Sequence, residues 1–163
     1  MIVGVANTEL VDKYSKILPE LGCKRAIIVH GLDGLDEIAT FGETKMRFIG
    51  DLENKGKEVI VKPNDFGLKK INAQDIAGTG IDYNAEVMYK ILANRFDIDN
   101  PNVEAVIANS AVGFIVAGKA SSISEGVEMA KITLNSGKCI NKLKEFIRFV
   151  DGDMEKIEKF ESV

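Results

Sequence analysis

Residues 25–37 read RAIIVHGLDGLDE, and they indicate an α/β fold. Ala26–Val29 is a continuous apolar run, which is typical of a strand buried on both faces of a parallel sheet. A β-branched run at Ile2–Val5 predicts an earlier strand, and apolar residues at helical spacing predict a helix from about Glu9 to Leu21. Strand, helix and strand within about thirty residues form a βαβ unit.

Downstream of this unit the pattern changes to a hairpin and then to helices. Thr44–Ile49 and Lys57–Val61 are strand-like runs joined by the polar segment Gly50–Gly56, which predicts an antiparallel hairpin. Pro63–Gly67 predicts a turn. Five predicted helices follow, separated by glycine and proline: Asn72–Ala77, Tyr83–Asn94, Val103–Lys119, Ile123–Asn135 and Lys138–Phe149.

These elements together predict an α/β fold with a mostly parallel sheet, one antiparallel hairpin and a C-terminal group of helices. We expect the α/β domain to occupy residues 1–150. Residues 151–163 form a charged tail, in which Asp153–Val163 is amphipathic and is expected to form a loose final helix.

Composition and charge exclude several classes of function. The chain has 163 residues, of which 45% are hydrophobic and 28% charged, as in one globular domain. A net charge of −4 and a pI near 5.2 argue against a nucleic-acid binder, whose binding face is usually basic. Cys23 and Cys139 are far apart and His30 is the only histidine, so no zinc site is expected. Scattered cysteines indicate a reducing cytoplasm.

The segment Val103–Gly118 is apolar nearly all the way round, which predicts a helix buried in the middle of the domain. It is too short for a membrane span and carries Asn109 and Ser110. We therefore expect no membrane association, and we expect this polar pair to pack or hydrogen-bond across to another element.

Two adjacent carboxylates, Asp36 and Glu37, follow the buried strand in a glycine-bent loop. Ligand sites in α/β sheets gather at the carboxyl ends of strands. Magnesium takes one or two protein carboxylates and completes its shell with waters and substrate phosphates. The pair therefore predicts a magnesium site. The alternatives are a solvated acidic loop, or Asp36 as the N-cap of a helix.

Two further signals have simpler interpretations beside the functional ones. Gly78–Asp82 precedes a predicted helix, where backbone N–H groups can bind phosphate, or it is a turn in which Asp82 caps a helix at Tyr83. His30, at the end of a strand, has the side chain of a general base. No nucleophile motif accompanies it, so a structural hydrogen bond is the favoured interpretation.

Taken in order, these features resemble the anthranilate phosphoribosyltransferase family, from about Val3 to Phe149. The family pattern V-G-V-x-x-x-E-L, a helix, and R-A-x-V-V-H-G-x-D-G-L-D-E is similar to the first 37 residues here. The matching positions are Val3-Gly4-Val5, Glu9-Leu10, Arg25-Ala26, Val29-His30-Gly31, Asp33–Glu37, Gly42 with Thr44, Pro63 with Asp65–Leu68, Asn84-Ala85, Asn109, Ala117–Ala120, Glu125–Val127, Ser136–Lys138 and Leu143. One departure is Tyr83, which stands where the family usually has an acid.

The resemblance implies a nucleoside-phosphorylase-like phosphoribosyltransferase fold. It also implies transfer of phosphoribosyl from phosphoribosyl pyrophosphate (PRPP) to anthranilate in tryptophan biosynthesis. In the family, the acidic residues matching Asp36 and Glu37 bind Mg²⁺ that bridges to PRPP. The glycine-rich PRPP loop lies earlier in the family's sequence, and Gly78–Asp82 matches a later turn. No general base and no anthranilate-binding residue is assigned in this chain.

The resemblance covers the C-terminal part of the family's chain, without the segment that carries the PRPP loop. We therefore expect little activity from this chain alone, and we expect a homo-oligomer or a partner chain carrying the N-terminal half. Two alternatives are a non-catalytic fragment or subunit that completes a partner chain, and a nucleoside phosphorylase relative.

Overall fold

The computed structural model describes residues 1–53 and 55–161, and it contains the predicted βαβ unit. Strand β1 (Ile2–Gly4) is followed by helix α1 (Thr8–Glu20) and strand β2 (Arg25–Gly31), and β1 pairs with β2 in parallel. Helix α1 begins after Asn7, whose side-chain oxygen accepts a hydrogen bond from the N–H of Leu10 at 3.0 Å. This cap satisfies one of the free N–H groups of the first turn.

The antiparallel hairpin is also present. Strands β3 (Thr44–Gly50) and β4 (Glu58–Val61) pair in antiparallel fashion, and the sheet order is β1-β2-β3-β4. Asn54, in the turn predicted between them, lies outside the described residues.

The sheet is mixed, which corrects the mostly parallel sheet expected above. Among the described strands only β1 and β2 run parallel, because β2 and β3 are antiparallel. A parallel return needs a crossover, usually through a helix, whereas residues 32–43 form a loop. Strand β2 is buried on both faces because helices cover both faces of the sheet. Such burial does not depend on whether a neighbouring strand runs parallel or antiparallel to β2.

The C-terminal group of helices is confirmed. The turn predicted at Pro63–Gly67 is confirmed as a 3₁₀ turn at Pro63–Phe66. The helix predicted at Asn72–Ala77 is only a 3₁₀ turn at Ala73–Ile76. The helices are α2 (Ile81–Leu92), α3 (Pro101–Val116), α4 (Ile123–Asn135), α5 (Lys138–Phe149) and α6 (Met154–Glu161). Positions 162 and 163 of the predicted tail helix lie outside the described residues. Within residues 1–53 and 55–161, no helix has the length and apolarity that crossing a bilayer requires.

The sheet carries one hydrophobic layer on each face, because alternate residues of β2 point to opposite sides. Ala26 and Ile28 pack with Val11 and Leu18 of α1. On the other face the core includes Ile27, Val29, Met46, Phe48, Ile107, Ala111, Val112, Val127 and Ala130. Helix α3 lies at the centre of this second layer, as its all-round apolar sequence predicted.

Candidate functional site

The candidate site lies where β1 and β2 both end, at the start of the loop 32–43. The N–H of Gly31 donates to the carbonyl of Leu35 at 2.8 Å, and the N–H of Gly34 donates to the carbonyl of Gly31 at 2.8 Å. Gly34 has a φ of 102°, a backbone conformation that glycine adopts readily. This tight turn leads the chain back toward the strand ends, where Asp36 and Glu37 follow. We call these two residues the acidic pair.

The backbone of Asp36 rests directly against β1. A Cβ atom on Gly4 would lie only 1.7 Å from the carbonyl oxygen of Asp36, so the peptide of Asp36 occupies the space that any other residue's side chain would fill. A glycine inside a strand often marks such a close backbone approach. Gly4 therefore brings the acidic pair to the end of the parallel strands.

Asn109 of α3 holds the residue that follows the acidic pair. Its Oδ1 accepts a hydrogen bond from the N–H of Ile38 at 3.0 Å. Its Nδ2 donates to the carbonyl of Ile38 at 3.5 Å and to the carbonyl of Ala105 at 3.0 Å. The expected hydrogen bond from this polar position to another element is confirmed for Asn109. The side chain of Ser110 makes no hydrogen bond within the described part of the chain.

Both side chains of the acidic pair are exposed. Neither has an ion pair or a side-chain hydrogen bond among the described residues, so their oxygens are available to a ligand. Asp36 is not a helix N-cap, because no helix begins next to it in the described chain. No cluster of three His, Cys, Asp or Glu residues suited to a metal occurs within the described ranges. Two free carboxylates fit magnesium, which commonly takes the rest of its shell from water and phosphate.

His30 lies at the same end of the sheet, but it faces the interior. It is 6% exposed, and its Nδ1 lies 2.9 Å from the carbonyl oxygen of Val5. A carbonyl only accepts hydrogen bonds, so the Nδ1–H of His30 is the donor. The structure thus gives His30 the structural role favoured by the sequence.

The segment Gly78–Asp82 forms the entrance to α2. The helix begins at Ile81, and Gly80 occupies its N-cap position. The predicted cap by Asp82 is wrong, since Asp82 already lies in the first turn. A Cβ on Gly78 would lie 2.4 Å from Oδ1 of Asn84, so this turn packs against its own helix.

Sequence comparison gives the family of the chain. Residues 1–140 match the model of a family described as "Glycosyl transferase family, a/b domain". An anthranilate phosphoribosyltransferase of Petrotoga mobilis is 33% identical over 150 residues, which cover 92% of this chain and 42% of that protein. One of Methanobrevibacter smithii is 35% identical over 150 residues, again 92% of this chain, and 43% of that protein.

Solved structures give the same result. Anthranilate phosphoribosyltransferase from Saccharomyces cerevisiae in complex with PRPP and Mg is similar with a TM-score of 0.79 and 26% identity, over 97% of this chain and 42% of that chain. The enzyme from Thermus thermophilus has a TM-score of 0.79 and 29% identity, over 91% of this chain and 42% of that chain. The chain thus spans about two fifths of the length of the relatives it matches.

Proposed function

The chain belongs to the glycosyl transferase family, a/b domain, and from this membership we propose that it works as part of an anthranilate phosphoribosyltransferase. The reaction transfers the phosphoribosyl group of PRPP to the amino nitrogen of anthranilate and releases pyrophosphate, a step of tryptophan biosynthesis. The observation that carries the proposal is similarity along nearly the whole chain, at 33–35% identity, to proteins that bear this name.

Within this activity we propose that the acidic pair holds Mg²⁺. Two free carboxylates lie at the end of two parallel strands, which is where α/β proteins bind ligands, and a solved relative contains PRPP and Mg. When bound, the ion would act as Lewis acid and template for the phosphates of PRPP. The contribution of this chain would be to present Asp36 and Glu37 near the pyrophosphate group, which gains negative charge as it leaves the anomeric carbon. Gly4 and Asn109 fix the backbone that carries them.

Association with a further chain is part of the proposal. Strand β1 is an outer strand of the described sheet, and a groove of about 650 Å³ beside it is lined by apolar residues including Ile2, Gly113 and Val116. An unprotected edge with an apolar groove favours pairing with another strand. We expect a homo-oligomer or a complex with a chain that carries the N-terminal half. Sedimentation at micromolar concentration tests this, and a stable monomer under all conditions would count against it.

A cytoplasmic location belongs to the same proposal. Cys23 and Cys139 are both free thiols in the described structure, which is the usual state of cysteines in a reducing cytoplasm. Separation of a cell lysate into soluble and membrane fractions, followed by detection of the chain, tests this location.

The activity can be tested with a chimera. The matched region of the Petrotoga mobilis relative is replaced by this chain, and consumption of anthranilate is followed with PRPP and Mg²⁺. We expect turnover by the folded chimera. We expect negligible turnover by the 163-residue chain alone. Positioning two substrates can lower a barrier by roughly 7–11 kcal/mol in favourable systems. A chain that spans about two fifths of its relatives' length is not expected to position both. Robust turnover by the chain alone, or a folded but inert chimera beside an active parent, would contradict the proposal.

A further inference from the structure

We propose that Gly4 and Asn109 are positioning residues, which fix the backbone of residues 36–38 and thereby set the affinity of the acidic pair for a divalent cation. They approach this segment from two different elements, β1 and α3. This role presupposes the proposed function, in which Asp36 and Glu37 bind magnesium, and it adds what determines how tightly they do so.

The contact from α3 is a reciprocal amide–peptide pairing. Asn109 accepts from the N–H of Ile38 at 3.0 Å and donates back to the carbonyl of the same residue at 3.5 Å. Ile38 directly follows Glu37, so the pairing orients the peptide at the end of the acidic pair. The third bond of Asn109, to the carbonyl of Ala105 at 3.0 Å, holds its amide on α3. Because α3 is buried in the core, this anchor is rigid.

The contact from β1 acts on the other end of the acidic pair. The peptide oxygen of Asp36 lies 1.7 Å from the position that a Cβ on Gly4 would occupy, far inside the van der Waals distance. Gly4 is aligned with Val29 in the parallel pair of strands, so the sheet holds its position. A side chain at Gly4 would therefore displace Asp36 rather than move aside itself.

A fixed backbone matters here because the side chains have no other support. In the part of the chain that the structure describes, neither carboxylate has a polar partner, so only their backbone positions direct them to one ion. Ordering a flexible loop on binding costs conformational entropy, and a preorganised loop avoids much of that cost. Partners that orient metal ligands commonly change metal affinity by about 10–100-fold.

The experiment uses the 163-residue chain, with Mn²⁺ alone as the probe because it accepts the same oxygen ligands as magnesium. The variants are Asn109→Ala and Gly4→Ala. Their matched controls are Ser110→Ala, beside Asn109 on the same helix, and Gly113→Ala, where a new Cβ would meet only Ile2 Cδ1 at 3.7 Å. Amide NMR spectra report Mn²⁺-induced broadening of residues 34–38, hydrogen exchange of the Ile38 amide, and the fold elsewhere.

We expect both variants to bind Mn²⁺ about tenfold more weakly than the unmodified chain. Faster exchange of the Ile38 amide is also expected in Asn109→Ala, while the controls match the unmodified chain. If Asn109→Ala fails to fold, the test rests on Gly4→Ala and Asn109→Asp. The second variant keeps the oxygen that accepts the hydrogen bond from the N–H of Ile38. Unchanged Mn²⁺ affinity in the variants would overturn the positioning role alone. Absence of Mn²⁺ binding at Asp36 and Glu37 in the unmodified chain would overturn the metal site itself.

Discussion

The side chain of His30 donates a hydrogen bond across the sheet to the carbonyl of Val5, with 2.9 Å between Nδ1 and the oxygen. This bond joins β2 to the chain just beyond β1, beside the acidic pair. Because it is buried, removing the donor leaves the carbonyl unsatisfied. We predict that His30→Ala lowers the free energy of unfolding by about 1–3 kcal/mol. His30→Asn, whose amide nitrogen can occupy the place of Nδ1, should lose less. Urea unfolding compares them, and equal losses would contradict the hydrogen-bond explanation.

Two buried threonines near the site are predicted to respond oppositely to valine. Thr44 Oγ1 accepts a hydrogen bond from the N–H of Ala39 at 2.8 Å, whereas Thr40 Oγ1 has no partner among the described residues. Thr44→Val should therefore cost about 1–3 kcal/mol by leaving a buried N–H unpaired. Thr40→Val, which removes only an unsatisfied hydroxyl, should be neutral or stabilising. The comparison is a pair of denaturant titrations, and a Thr40→Val loss as large as that of Thr44→Val would refute the assignment.

Helices α3 and α4 pack closely at a glycine. A Cβ on Gly126 would lie 2.6 Å from the carbonyl oxygen of Ala111, which is backbone and cannot turn away. We predict that Gly126→Ala forces the helices apart and destabilises the chain by about 1–3 kcal/mol. Gly113→Ala on α3 is the matched control, and its better helix propensity should leave stability unchanged or raise it by up to about 1 kcal/mol. Thermal melting curves compare the two variants, and equal melting temperatures would contradict the predicted clash at Gly126.

The stability of the chain should depend on pH through Glu104, which is 7% exposed. Burial raises the pKa of this carboxyl, and repulsion from Asp99 adds to the increase, while Lys69 and Lys131 oppose it. Between the unfolded pKa and the higher native pKa, the folded chain binds more protons than the unfolded chain. This contribution to stability is therefore present in acid and is lost as the pH rises through that window.

Glu104→Gln removes this dependence while keeping the shape of the side chain. We predict that the variant is more stable than the unmodified chain at neutral pH, and that the difference shrinks toward zero below about pH 4, where both side chains are neutral. Unfolding titrations across this range measure the difference. A variant that is less stable at every pH would indicate that the charged carboxylate of Glu104 stabilises the fold.

Local pattern predicted the βαβ unit, the hairpin and the helices, because apolar spacing is a property of neighbouring residues. Strand direction was not predictable from β2, since burial on both faces is the same for a parallel or an antiparallel neighbour. The acidic pair could be predicted as a candidate magnesium site because it follows a strand directly. Gly4 and Asn109 contact residues that lie 32 and 71 positions away, so no local pattern identifies these partners, although a polar residue within an apolar helix did indicate a hydrogen bond from Asn109. The signal for Gly4 was a glycine within a β-branched run.

The proposed magnesium site depends on the two negative charges of Asp36 and Glu37. Asp36→Asn together with Glu37→Gln keeps the size of both side chains and removes their charge. The matched control is Asp51→Asn with Glu53→Gln, which removes the same charge from exposed residues at the opposite end of β3. Any effect of net charge alone should appear equally in both double variants.

The most direct test is a magnesium titration of anthranilate consumption by the chimera, carrying either double variant or neither. We predict that loss of the acidic pair lowers turnover by about a hundredfold, the order expected for removing one electrostatic stabiliser of the reaction, and shifts the magnesium dependence to higher concentration. The control variant should follow the unmodified chimera. An unchanged rate with an unchanged magnesium dependence in the Asp36 and Glu37 double variant would show that the acidic pair is only a solvated loop.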